Sequence, residues 1–97
     1  MIYILSDAAA DDLDGIWLYG LGRWGLKQAD CYHKKILDML DFLCENPELG
    51  KDRGELGSSY QSYLVGSHVV FFRQYEATIK VVRVLHQRMD SIRHLPN

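Results

Sequence analysis

Ninety-seven residues, 47% of them apolar and 25% charged, are enough for one soluble domain with a single modest core and too few for two. A formal net charge of −2 excludes a bulk nucleic-acid binder, and no run of about 18 apolar residues is present to span a membrane. Met1 to Leu5 lacks the basic start and long apolar stretch of an export signal, so a cytoplasmic home is expected. The charge is uneven: residues 1–46 carry eight acids and four bases, and residues 47–97 carry five acids and seven bases. An anionic partner would therefore dock on the second half.

Ile2 to Leu5 reads as a short strand of apolar, β-branched and aromatic residues. Ser6 then offers a helix N-cap, with Asp7 in the first turn where the helix dipole favours an acid. Ala9, Leu13, Ile16, Trp17 and Gly20 follow at helical spacing, and Gly20 and Gly22 are expected to end the helix. Gly25 is expected to cap a second helix, with Gln28 placed to reach back to the cap. Its stripe is Ala29, Tyr32, Ile36, Leu40 and Leu43, widened by Met39, Phe42 and Cys44, and Asn46-Pro47 stops it. Two helices joined this closely must form an antiparallel hairpin. Pro47 to Ser59 reads as a polar loop. Strands are then predicted over Tyr60–Val65, His68–Arg73 and Thr78–His86, with Gly66-Ser67 as a Gly-X hairpin turn. The tail after Met89 can form a turn or two of helix capped by Asp90 and stopped by Pro96.

The order β-α-α-β-β-β with a short C-terminal helix segregates helices from strands. It predicts an α+β domain over residues 1–97, with the helical hairpin packed on a mainly antiparallel sheet. Strict alternation along Thr78–His86 would point Ile79, Val81, Arg83 and Leu85 one way and Lys80, Val82, Val84 and His86 the other. Both faces are then largely apolar. The hairpin covers one; the other needs the tail, an oligomer contact or a partner, and in so short a chain a partner is expected.

Residues with intrinsic chemistry are sparse. Cys31 and Cys44 lie thirteen residues apart on one predicted helix, roughly 20 Å, which is beyond disulfide reach. Cys31 and His33 point to different faces, and His68, His86 and His94 are scattered, so no metal site is expected. The glycines of the 47–59 loop lack a G-K-[ST] ending and precede a strand, so they form turns and not a phosphate loop. Ser58, Ser59 and Ser67 fall in turns, without a partner that would activate them.

The motifs resemble a known family. A strand followed by A-x-x-D-L at Ala9–Leu13, Ile16, Tyr19, W-G-x-x-Q-A at Trp24–Ala29 and Tyr32 is similar to the first half of ParE toxins, members of the RelE/ParE superfamily. V-G-S-H-V-V-F-F-R at Val65–Arg73 looks like the family's central hairpin, and R-V-L-H-x-R-M-D at Arg83–Asp90, followed by Arg93-His94-Leu95, like its C-terminal signature. The resemblance covers essentially the whole chain. It implies the toxin half of a bacterial type II toxin–antitoxin pair, with no cofactor and without the catalytic set of RelE, the ribosome-dependent mRNA endonuclease. The implied target is DNA gyrase, and the implied neutraliser is a cognate antitoxin whose C-terminal segment wraps the toxin. No sequence-specific nucleic-acid binding is expected.

Candidate target contacts are Arg83, Arg88, Met89 and Arg93 in the basic half, since an arginine fork suits carboxylate or phosphate. Candidate antitoxin contacts are Leu13, Trp17, Val82 and Val84, on the open sheet face and beside the hairpin. Trp24, at a helix start, is a further candidate. Two alternatives stand beside gyrase. One is a toxin-like binder of another target. The other is a RelE-like nuclease using His86 with Arg53, Arg73, Arg83, Arg88 or Tyr75, which supply the general acid–base and cationic groups such cleavage needs. The expectation favoured here is that His86 closes a strand and bonds backbone at the start of the tail, without acting as a base.

Overall fold

The computed structural model describes residues 2–57 and 59–96; the turn expected at Ser58 lies outside them. The elements are β1 (Ile2–Leu5), α1 (Asp7–Trp24), α2 (Leu26–Glu45), β2 (Lys51–Asp52), β3 (Gln61–Val65), β4 (His68–Tyr75), β5 (Thr78–His86) and α3 (Ser91–His94). They build a five-stranded sheet in the order β1-β5-β4-β3-β2. β1 runs parallel to β5, and the other pairings are antiparallel. The helical hairpin packs on this sheet, as the element order predicts.

Ser6 starts α1 as expected: its Oγ accepts from the Ala9 N–H at 3.0 Å and donates to the Val82 carbonyl oxygen at 2.7 Å. One side chain thus caps a helix and ties it to β5. The helix does not end at Gly20 or Gly22 but continues to Trp24. Gly20 is buried inside the helix and faces Ala29 of the other helix, where a β-carbon would make ordinary van der Waals contact at 3.5 Å. Gly25 alone joins the two helices, at φ 89°, and its N–H donates to Leu21. Gln28 makes no hydrogen bond back to the cap. On α2 the stripe of Ala29, Ile36, Leu40, Leu43 and Cys44 is buried, whereas Phe42 is exposed.

The 47–59 loop holds two single 3₁₀ turns, Pro47–Leu49 and Gly54–Leu56, and between them β2. β2 is invisible to pattern reading because two charged residues carry no alternation; it exists through backbone pairing with Gln61 and Ser62. β4 extends two residues beyond the predicted strand, to Tyr75, and Glu76 makes the turn at φ 49°.

A β-bulge changes the reading of the sheet faces. Phe71 pairs with Arg83 and Phe72 with Val81, so Val82 is an extra residue on β5. Strict alternation fails at that point. Ile79, Val81 and Val84 join Val70, Phe72, Ile36 and Leu40 beneath the hairpin. Val82 and Leu85 face the opposite side, with Phe71, Tyr60 and Leu95. That second face was expected to need a partner. The chain covers it instead: Leu95 from the tail and Leu56 and Tyr60 from the loop close over it, and the Tyr60 hydroxyl donates to the Pro96 carbonyl oxygen.

Candidate functional site

A groove of about 960 Å³ opens at the end of the molecule where the hairpin, the β3–β4 turn and the end of β5 meet. α1 presents Asp12, Ile16, Tyr19 and Arg23 along it, four residues at helical spacing. α2 contributes Ala29 and Tyr32, β4 contributes His68, β5 contributes Val84 and His86, and the tail contributes Met89. Much of the rim is apolar and open to solvent: Tyr19 is 63% exposed, Trp24 59% and Met89 43%. Tyr19 meets Trp24 edge-to-face at 5.9 Å between centroids, and the Arg23 guanidinium lies 5.9 Å from the Trp24 ring centre.

The floor is held by polar contacts. The Tyr32 hydroxyl lies 2.7 Å from Nδ1 of His68 and accepts from the Ser67 N–H at 3.0 Å. It thereby fixes the Gly66-Ser67 turn, where Gly66 takes φ 59° and a β-carbon would clash with Tyr32 at 2.7 Å. His68 and His86 are direct cross-strand partners, with ring centroids 5.3 Å apart. Burial and the neighbouring His86 hold His68 below the ordinary histidine pKa, Asp12 opposing them. His86 Nδ1 accepts from the Arg88 N–H at 3.1 Å, so that lone pair is engaged with the start of the tail.

Beside the groove, Arg83 donates through Nε and Nη2 to both carboxylate oxygens of Asp12, at 2.7 and 2.8 Å, and through Nη1 to the His94 carbonyl at 2.9 Å. The Val84 N–H adds a bond to Asp12 at 2.9 Å. This knot fastens α1, β5 and the tail together. Hydrogen bonding to Asp12 raises the Arg83 pKa above its ordinary value.

The structure places the sequence candidates in different surroundings. Arg88, Met89 and Arg93 lie exposed on the tail, whereas Arg83 is half-buried and paired with Asp12. Val84 lines the groove, Val82 lines a separate hollow on the opposite sheet face, and Leu13 is in the core. Trp17 is half-buried, and its indole N–H donates to Asp30 at 2.8 Å, locking one helix to the other. Sequence reasoning did not place Ile16 and Tyr19 in a groove, although their spacing with Asp12 and Arg23 carried the signal. It could not find the His68–His86 pair, because the bulge sets that register. Among the described residues no group of three His, Cys, Asp or Glu side chains is placed to hold a metal, and no helix is long and apolar enough to cross a membrane.

A helical hairpin laid on a sheet with one parallel edge strand, with a groove beside the hairpin's connecting end, places the molecule among the RelE/ParE-like α+β folds. A chain of the chromosomal ParDE toxin–antitoxin system from P. aeruginosa superposes with a TM-score of 0.75 at 18% identity, over 88% of this chain and 92% of that one. A chain of the RelBE2 toxin–antitoxin complex from Mycobacterium tuberculosis gives 0.65 at 20% identity, over 89% and 96%. At such identities these likenesses show the fold. The sequence goes further. Residues 3–91 match the family described as ParE toxin of type II toxin–antitoxin system, parDE. Toxin ParE1 of Mycobacterium tuberculosis is 43% identical over 94 residues and Toxin ParE1 of Caulobacter vibrioides 39% identical over 93, each alignment covering 96% of both chains. The chain belongs to the ParE family of type II toxins.

Proposed function

We propose that this toxin acts in the cytoplasm by binding DNA gyrase, without chemistry of its own, and that a cognate antitoxin silences it. The observation that carries the reading is the open, aromatic-rimmed groove on a chain of this family. Exposed Tyr, Trp, Met and Arg are the residue types that dominate protein–protein contacts. The shape suits an amphipathic helix with its apolar face inward. Ile16, Tyr19 and Val84 are the groove contacts for such an antitoxin segment, with Trp24 and Met89 on the rim. Trp17 acts from behind the surface, Leu13 packs in the core beneath the hairpin, and Val82, on the opposite sheet face, lies outside this contact.

Arg88, Met89 and Arg93 form the target-binding tail, and Arg83 orients it through its bond to the His94 carbonyl. The engagement of His86 Nδ1 with Arg88 supports a positioning role for that histidine. Supercoiling by purified gyrase, with cleaved DNA scored alongside, tests the reading. The expected result is inhibition with accumulated cleavage, relieved by antitoxin and weakened in Arg88→Ala/Arg93→Ala. No inhibition at stoichiometric excess overturns the gyrase target. Cleavage of ribosome-bound mRNA that His86→Ala abolishes, with the fold intact, replaces it with the RelE-like mechanism.

A further inference from the structure

The opposite face of the sheet carries a second hollow, of about 500 Å³, bounded by β4, β5 and the C-terminal tail. Arg73 on β4 and Lys80 on β5 line it and are direct cross-strand partners. Side chains opposite one another in such a pair stand about 5 Å apart, and two like charges placed there destabilise the sheet. The Arg73 guanidinium is held 4.1 Å above the Tyr60 ring, yet its Nε is buried without an acceptor among the described residues. Arg93, ion-paired on the surface with Asp90 at 3.4 Å, and His94 bring further donors from the tail. Arg83 also reaches the hollow, but its charge is matched by Asp12. Among the described residues no Asp or Glu lines the hollow. Cations thus converge from three separate elements on one small concavity with an apolar floor of Val82 and Leu95.

We propose that this hollow is a phosphate-binding site. A carboxylate is a planar monoanion with two oxygens and matches one arginine fork. A phosphate carries up to two charges on three tetrahedrally arranged oxygens, which is the complement of cations arriving from three directions. Bound between Arg73 and Lys80, it removes the like-charge repulsion. The phosphate can be the terminal monoester of a nucleic-acid strand or belong to a small phosphorylated molecule, and the site reads its charge and shape without reading sequence. The site lies on the sheet face opposite the antitoxin groove and does not depend on what the groove binds.

Titration of the intact toxin with inorganic phosphate, followed by ¹⁵N NMR at fixed ionic strength, tests this. The expected result is saturable movement of the Arg73 Nε–H and Lys80 signals. Lys80→Gln is expected to weaken binding about tenfold or more and Lys80→Arg to restore it, as loss and return of a charge-assisted bond require. Lys80 is exposed, so its variants stay folded even where Arg73→Gln does not. A short single-stranded oligonucleotide with a 5′-phosphate that competes with phosphate identifies a strand as the source, with a salt dependence that falls by about one counterion in Lys80→Gln. An oligonucleotide that fails to compete identifies a small phosphate. Non-saturating shifts that Lys80→Gln leaves unchanged, or acetate binding as well as phosphate does, overturn the proposal.

Discussion

The two faces of the sheet are built by different means. One is covered by two long helices, and Phe72, Ile79, Val81 and Val70 lie fully buried beneath them. The other is covered by the 3₁₀ turn at Gly54–Leu56 and a four-residue helix, and only Tyr60, Phe71, Val82, Leu85 and Leu95 close there. A short helix has no stability of its own and holds only by docking. The first face therefore carries the fold. The second leaves room for cations and an exposed tail.

The largest expected effect breaks the first face. Phe72→Ala removes a fully buried ring and is expected to cost about 3–5 kcal/mol. Leu95→Ala, on a tail that can detach without unfolding the sheet, is expected to cost under about 2 kcal/mol, below the usual range for a buried leucine. Urea denaturation compares them. Equal costs would mean that the two faces unfold as one unit. Next comes the knot that ties the faces together. Asp12→Ala leaves the Arg83 guanidinium and the Val84 N–H unpaired in a site where both side chains are largely shielded, the Asp12 side chain being 14% exposed and that of Arg83 21%. A loss of about 3 kcal/mol is expected, and the tail should become protease-sensitive. A loss of only a few tenths would reduce the pair to surface decoration.

The contrast between the faces also explains what the sequence disclosed. The hairpin was legible because Ala29, Ile36, Leu40 and Leu43 repeat with the period of the helix that buries them. The three long strands and the Gly66 turn were legible for the same reason, local pattern matching local structure. The element order read from these patterns matches the structure except for β2. What stayed hidden depends on contacts distant in sequence. The Val82 bulge swaps faces without any local mark, which turned Val84 toward the hairpin and Val82 away. Arg83 looked like a free surface arginine because its partner lies 71 residues away. The Arg73–Lys80 pair needed the register to bring it together.

A smaller effect tests how the thin face is fastened. Tyr60→Phe keeps the buried ring and removes the bond to the Pro96 carbonyl oxygen. The expected cost is about 1 kcal/mol, felt locally. Hydrogen exchange should accelerate at the Leu95 amide, which donates to Ser91, and remain unchanged at β5 amides under the hairpin. Faster exchange throughout β5 would show that the tail supports the whole sheet.

The smallest expected effect belongs to the groove floor and is a matter of pH. His68 is held below its ordinary pKa by burial first and by His86 second, with Asp12 opposing. The unfolded chain therefore takes up the His68 proton at a higher pH than the folded chain does. The neutral ring's contribution is fully present above the unfolded value, about 6.5, and is lost as pH falls through the lower folded value. Melting temperature should decline as pH is lowered from about 8 toward 5, the range in which histidine is the side chain that ordinarily titrates. Glu55, the carboxylate whose pKa is held low, sits on the surface beside Arg53 and acts at lower pH, outside this window. His68→Gln keeps a polar group for the Tyr32 hydroxyl and removes the titration, so its melting curve should be flatter than that of the unaltered protein over the same range. If the two curves run parallel, the His68–His86 pair does not couple protonation to folding. The pH dependence would then have to come from a group other than His68.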